Sequence, residues 1–209
     1  MALAGTHIRF ALDLAERLHI QDVKPYILGT LYPDSRYVSG TDRRLTHPKN
    51  FFPKRALSDF ENGWAVHILC DHIQGEVFGK LFPDLFPQGL SLEDWWPVIS
   101  VLKVLQDTDD IARVDVMPFI VSLDTAYNPV GEDIEKVREY NEIIQRVYRT
   151  RQKGKGIDAI EMWRQVGVNP ERLDKIRGVL NAYSSAPEIL SRIPQVYPEM
   201  IRRVNNELQ

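Results

Sequence analysis

An all-α fold is what the sequence predicts, on three observations. Apolar residues recur at helical spacing in the windows long enough to judge. Serine, threonine, asparagine and proline stand at the starts of those windows, where helices are capped. No stretch alternates apolar and polar residues as a half-buried strand would, and no internal repeat is seen.

Thr6 reads as the N-cap of a first helix reaching about Leu18, with His7, Phe10, Ala11, Leu14 and Leu18 on one stripe and Arg9, Asp13, Glu16 and Arg17 on the other. His7 begins the inward face. His19 falls at the helix end, where a polar or cationic group suits the dipole. Tyr26 to Tyr32 is a short apolar segment stopped by the turn chemistry of Pro33-Asp34-Ser35. Residues 36–58 carry Arg36, Arg43, Arg44, Lys49, Lys54 and Arg55 among serine, glycine, threonine and proline, with no helical period. They read as one long ordered loop, and loops of that length are uncommon in compact domains unless they are functional or disordered. Within it, Pro48 favours an extended backbone at His47.

The stretch Trp64–His72, Trp-Ala-Val-His-Ile-Leu-Cys-Asp-His, is the centre of the chain. His67 and Asp71 stand four apart, which on a helix stacks them on one face, one turn above the other. Phe60 and Trp64 continue that face, while Val66, Leu69, Cys70 and Ile73 form a second apolar stripe beside it. A helix apolar nearly all round is buried. An imidazole and a carboxylate inside it are costly unless they are paired or bound to a cation.

Beyond this helix, Gly79 to Gly89 reads as a proline- and phenylalanine-rich connection, and Ser91 with Glu93 and Asp94 opens a helix to about Leu105. Ile111–Leu123 reads as helical with a break near Pro118, and Pro129 opens a long polar helix to about Arg151. Lys153-Gly-Lys-Gly156 is a flexible joint. Asn169-Pro170-Glu171 caps a further helix, and Pro187, Pro194 and Pro198 punctuate short helices to the end. Residues 1–152 are expected to form a metal-binding helical domain, with 157–209 a C-terminal helical extension packed on it. Asp109 and Asp110 read as the acids of a helix cap.

Composition narrows the function. The 209 residues, 44% hydrophobic and 26% charged, suffice for a real core. The balance of 26 basic against 29 acidic residues gives a net charge of −3, so nothing favours duplex nucleic acid or an anionic membrane. No window is long and apolar enough for a membrane span, and the amino-terminal stretch lacks the basic and apolar regions of a signal peptide. A single cysteine, Cys70, fits a reducing compartment, so a cytoplasmic protein is expected.

All five histidines, His7, His19, His47, His67 and His72, fall within the first 72 residues. The inward or turn-placed ligand candidates, in order, are His7, Asp34, His47, His67 and Asp71. This mix of nitrogen and carboxylate oxygen suits zinc, and also iron, manganese or nickel. His72 adjoins Asp71 and so points about 100° away from it.

Thr6-His7, Leu-Gly-Thr-Leu-Tyr-Pro-Asp34, Thr-His47 and Gly-Trp-Ala-Val-His67-Ile-Leu-Cys-Asp71 together resemble the bacterial zinc-dependent phospholipase C family. More distantly they resemble the single-strand-specific zinc nucleases of the same all-helical bundle. The resemblance covers roughly the first 80 residues and rests on the order His, Asp, His, His-x-x-x-Asp. It implies that Asp34, His47, His67 and Asp71 hold one zinc ion, and that His7 and a bridging Asp71 offer part of the site for a second. It also implies a downstream histidine pair, yet no histidine follows His72, so a complete trinuclear cluster is excluded.

The activity implied is a zinc-dependent, phospholipase C-like hydrolysis of a phosphate ester, either a phosphodiester or a small phosphorylated metabolite, by a metal-bound hydroxide. Asp34 would be ligand and water-orienting base, and Arg36, Arg43 and Arg44 would bind the phosphate. A helical phosphohydrolase built on an adjacent His-Asp pair is disfavoured, because the chain has Asp71-His72 but no His-Asp. The alternative from another class is a catalytically silent, metal-stabilised interaction module, whose closed coordination sphere leaves no position for water.

Overall fold

Ser58 starts the longest helix in the computed structural model, which describes residues 3–87, 89, 91–151 and 156–207. Its hydroxyl accepts from the Glu61 amide while the Glu61 carboxylate accepts from the Ser58 amide, a capping box that fixes the first turn of α5 (Asp59–Leu81). Over 23 residues, about 35 Å of helix, α5 buries Phe60, Trp64, Val66, His67, Leu69, Cys70, Ile73, Val77 and Phe78. The connection expected from Gly79 therefore begins later, because the helix runs to Leu81 before a 3-10 turn at Pro83–Leu85.

The apolar segment before Asp34 is itself a helix. Asp22 accepts from the Lys24 amide and opens α2 (Val23–Leu31), and a 3-10 turn over Tyr32–Ser35 carries Asp34. Helices α2 and α5 meet at two glycines. A Cβ on Gly29 would lie 2.0 Å from the Phe60 carbonyl oxygen, and one on Gly63 would lie 1.9 Å from that of Tyr26. No residue larger than glycine fits at this crossing.

Helix α1 (Ala4–Ala15) begins ahead of the expected cap. Thr6 lies inside it, and the N-cap residue is Leu3, whose side chain caps nothing. The first-turn amides find partners across space instead: the Gly5 amide donates to the Tyr148 hydroxyl at 2.9 Å, and the Thr6 amide to Asp107 Oδ1 at 2.8 Å. The Thr6 hydroxyl donates to Asp110 Oδ2 at 2.7 Å, and Arg9 pairs with Asp110 Oδ1 at 2.7 Å. The acid expected to cap its own helix thus sits at the positive end of another, buried to 0% exposure. The chain leaves α1 through His19, exposed and left-handed at φ 55°.

The long loop contains two single-turn helices, α3 (Arg36–Ser39) and α4 (Arg43–Thr46). Ser91 caps α6 (Leu92–Arg113), which continues past the expected end near Leu105. Pro118 lies in the first turn of a separate short helix, α7 (Met117–Ile120), rather than breaking a longer one. The polar helix α8 (Ile134–Arg149) is capped by Asp133, later than Pro129. Then come α9 (Ala159–Gln165), α10 (Pro170–Tyr183) capped by Asn169, α11 (Pro187–Leu190) and α12 (Ile193–Glu207). Pro198 lies within α12, where separate short helices were expected. Helix α12 packs on α5 and α6 and buries Val196, Met200 and Val204 in the same core as α1 and α2. Of the expected joint at Lys153–Gly156, only Gly156 is among the described residues.

The fold is all-α, with no β-strand among the described residues. No described helix is long and apolar enough to cross a membrane.

Candidate metal centre

Asp71 stands where α1, α5, α6 and the segment after α4 converge. Its Oδ2 lies 3.9 Å from His47 Nε2 and 3.9 Å from His67 Nε2, and its Oδ1 lies 4.0 Å from His7 Nε2. Ligand atoms of His47, His67 and Asp71 lie within 4.8 Å of one another, and so do those of His7, Asp34 and His67. The five ligand candidates of the sequence thus fall in two groups that share His67. The His7 and His67 rings stack with centroids 4.0 Å apart and planes 14° from parallel, while His47 meets His67 edge-on at 5.2 Å.

Neighbouring groups orient the rings. His67 Nδ1 is 2.8 Å from the Thr30 carbonyl oxygen, which only accepts, so Nδ1 carries the proton and Nε2 keeps its lone pair. The glycine crossing of α2 and α5 sets that distance, since it fixes Thr30 against the helix bearing His67. The Thr46 hydroxyl donates to the Arg43 carbonyl and lies 2.9 Å from His47 Nδ1, an arrangement that leaves His47 Nε2 free to face Asp71. Trp64 pins this segment to α5 by donating its Nε1–H to the Thr46 carbonyl at 2.6 Å, and Asn62 accepts from the Lys54 amide at 3.0 Å.

Three ring nitrogens of the cluster are buried without a hydrogen-bond partner: His7 Nδ1, His7 Nε2 and His67 Nε2. A buried polar atom left unpaired costs about 1–3 kcal/mol. Lone pairs and carboxylate oxygens aimed at one small volume are the donor set of a transition-metal or zinc ion, so the residues present fit such an ion.

Burial depresses the basicity of all three imidazoles. His67 falls to about 4. His47 falls to about 3, with the adjacent His67 adding to the effect of burial, and His7 lies well below the usual histidine range for the same two reasons. The two carboxylates diverge. Burial and the neighbouring Asp71 charge push Asp34 upward. Burial would do the same to Asp71, but the Lys103 ammonium, helped by His67 and His7, outweighs it and holds Asp71 well below the usual carboxylate range.

Lys103 is the charged residue of the cluster that sequence reading missed. Its Nζ lies 2.9 Å from Asp71 Oδ1 and its side chain is 8% exposed. The signal was a lone lysine in Ile99–Leu105, Ile-Ser-Val-Leu-Lys-Val-Leu, where a charge inside an apolar helical run needs a partner. One turn further along the α5–α6 contact, the Gln74 side-chain amide donates to Gln106 Oε1 at 2.8 Å.

A cavity of about 630 Å³ opens beside the cluster. Asp71, His47 and Lys103 lie on its wall, Arg43 and Lys49 add positive charge, and Trp95 and Trp96 supply aromatic surface. Asp34, His7 and His67 do not line it. Of the arginines expected to bind phosphate, Arg43 lines the cavity, whereas Arg36 stacks on Tyr37 at 3.9 Å and Arg44 points outward, bound to Asp42. His72 is exposed and pairs with Glu76 at 3.6 Å, and Glu76 already holds Arg203.

No family model, curated protein or solved structure matches the chain.

Proposed function

We propose that the protein is a metal-dependent hydrolase of a phosphate ester, akin to the zinc-dependent phospholipases C that its first 80 or so residues resemble. The observation that carries this reading is that Asp71 and His47 belong both to the donor cluster and to the wall of a cationic cavity. His7, Asp34, His47, His67 and Asp71 would hold the ion, zinc or a divalent ion of similar taste such as iron, manganese or nickel. When bound, such an ion supplies a water of lowered pKa and polarises a phosphoryl oxygen.

The chain's own residues have distinct tasks. Thr30 and Thr46 keep His67 and His47 in the ligating orientation. Of the two carboxylates, Asp71 lines the cavity but is held by Lys103 and kept well below the usual carboxylate range, whereas burial raises Asp34, so Asp34 would be the one to orient an attacking water and take its proton. Arg43 stands where it can neutralise phosphate at the mouth, and Trp95 and Trp96 offer a surface to an apolar or aromatic organic part. A single buried thiol and the absence of basic excess agree with a cytoplasmic small-molecule enzyme.

A second reading has one observation in its favour. Five protein donors are enough to close a coordination sphere, which would leave a silent, metal-stabilised module. Untagged protein and a His67→Ala variant, purified without added metal, separate these possibilities. Bound metal is expected in the wild type and not in the variant, together with hydrolysis of bis(p-nitrophenyl) phosphate or p-nitrophenyl phosphate that a chelator abolishes and zinc restores. Equal metal in both proteins would sink the site. Metal without hydrolysis would leave the module.

A further inference from the structure

His67 decides how many ions the cluster takes. Its Nδ1 is committed to the Thr30 carbonyl at 2.8 Å, which leaves Nε2 as its one nitrogen for a metal. The His7–Asp34–His67 and His47–His67–Asp71 groups both need that nitrogen. One lone pair binds one ion, so the two groups cannot each hold an ion at the same time.

Asp71 divides its oxygens in keeping with this. Oδ2 faces His47 and His67, each at 3.9 Å, whereas Oδ1, although 4.0 Å from His7 Nε2, is taken by Lys103 at 2.9 Å. An ammonium already stands where a second cation would bind. Lys103 has three N–H donors, its one ion-pair partner among the described residues is Asp71, and it lines the cavity.

Resting on the reading of a metal-dependent phosphate-ester hydrolase, we infer that the centre takes a single divalent ion and that Lys103 is its second positive charge, binding an anionic oxygen of the ester in the cavity. Charge balance gives the reason. Asp34 and Asp71 neutralise a divalent ion between them, so the loaded centre would attract a phosphate weakly on its own. Lys103 restores a net positive charge at its inner wall, where little water screens it. The ammonium is fixed by Asp71 before the substrate arrives, so little ordering remains to be done on binding.

The full chain, loaded with zinc and desalted, gives the test. Elemental analysis should find one zinc per chain in the wild type and in Lys103→Met and Lys103→Arg. Calorimetric titration with inorganic phosphate should show binding weakened about tenfold or more in Lys103→Met and largely kept in Lys103→Arg. Lys103→Gln replaces Lys103→Met as the uncharged variant if circular dichroism finds the latter unfolded. Two zinc ions in the wild type, or unchanged phosphate binding without the charge, would overturn the inference. Loss of zinc from folded Lys103→Met would also overturn it, making Lys103 a prop for Asp71. A wild type that binds no zinc removes this inference together with the hydrolase reading, whereas one zinc with unchanged phosphate binding removes this inference alone.

Discussion

Gly63 touches the Tyr26 carbonyl so closely that a Cβ placed on it would stand 1.9 Å from the oxygen. Helices α2 and α5 therefore meet backbone to backbone, and one turn of α2 later the Thr30 carbonyl stands against His67 Nδ1. Packing at the crossing and orientation of the His67 ring are one geometric fact. Gly63→Ala should push the helices apart and cost about 3 kcal/mol, the upper part of the overpacking range, because backbone cannot rotate away as a side chain can. Chemical denaturation measures that loss. Zinc affinity should fall with it, since His67 loses its orienting acceptor.

Trp64 acts on the other side of the site. Its indole N–H holds the Thr46 carbonyl at 2.6 Å, and Thr46 is next to His47. Trp64→Phe keeps most of the buried ring, including the edge contact with Phe51 at 5.0 Å, and deletes only the donor. The expected stability loss is about 1 kcal/mol. Zinc affinity should drop roughly tenfold, because partners that position a ligand commonly matter that much. Competition with a chromophoric chelator checks the second figure.

These two residues show why part of the centre was legible in the sequence and part was not. His67 and Asp71 were readable because both lie on one apolar helix, where spacing alone fixes their shared face. The order His7, Asp34, His47 drew attention to partners that spacing could not place, and tertiary packing brings His7 and His47 to Asp71 and Asp34 to His67. Helix α2 was missed because its apolar run is short and bounded by Pro25 and Pro33, with the stop signal outweighing a weak period. The start of α1 was missed for a different reason. Its amides are capped by Asp107 and Tyr148, more than 100 residues away, and no local pattern encodes such a cap.

Metal should stabilise the fold through His67 in particular. An ion that binds only the native protein adds about 2.7 kcal/mol when its free concentration is a hundredfold above its dissociation constant. For a domain of this size that corresponds to a rise in Tm of roughly 5–10 °C. Scanning calorimetry with zinc, and with zinc plus chelator, should show this rise in the wild type. His67→Ala should show little, because both candidate groups lose the histidine they share. An equal rise in the variant would place the zinc elsewhere on the chain.

The cap of α1 makes stability depend on pH in a direction opposite to that of most salt-bridged acids. Asp107 accepts from the Thr6 amide and the Tyr148 hydroxyl, yet burial dominates and pushes its carboxyl from 3.8 up to about 7. The native state then holds this proton more tightly than the unfolded chain does. Its contribution to stability is present in full below the unfolded value near 3.8 and is lost as pH rises through about 7. Asp110, raised by burial to about 6, works in the same sense. Asp107→Asn removes one of the two titrations while keeping an acceptor for the Thr6 amide. Relative to this variant, the wild type should lose on the order of 2 kcal/mol between pH 5 and pH 8, in proportion to the proton it releases. Urea unfolding of both proteins across that range measures the difference, and a flat difference would mean that Asp107 is ionised throughout in the native protein.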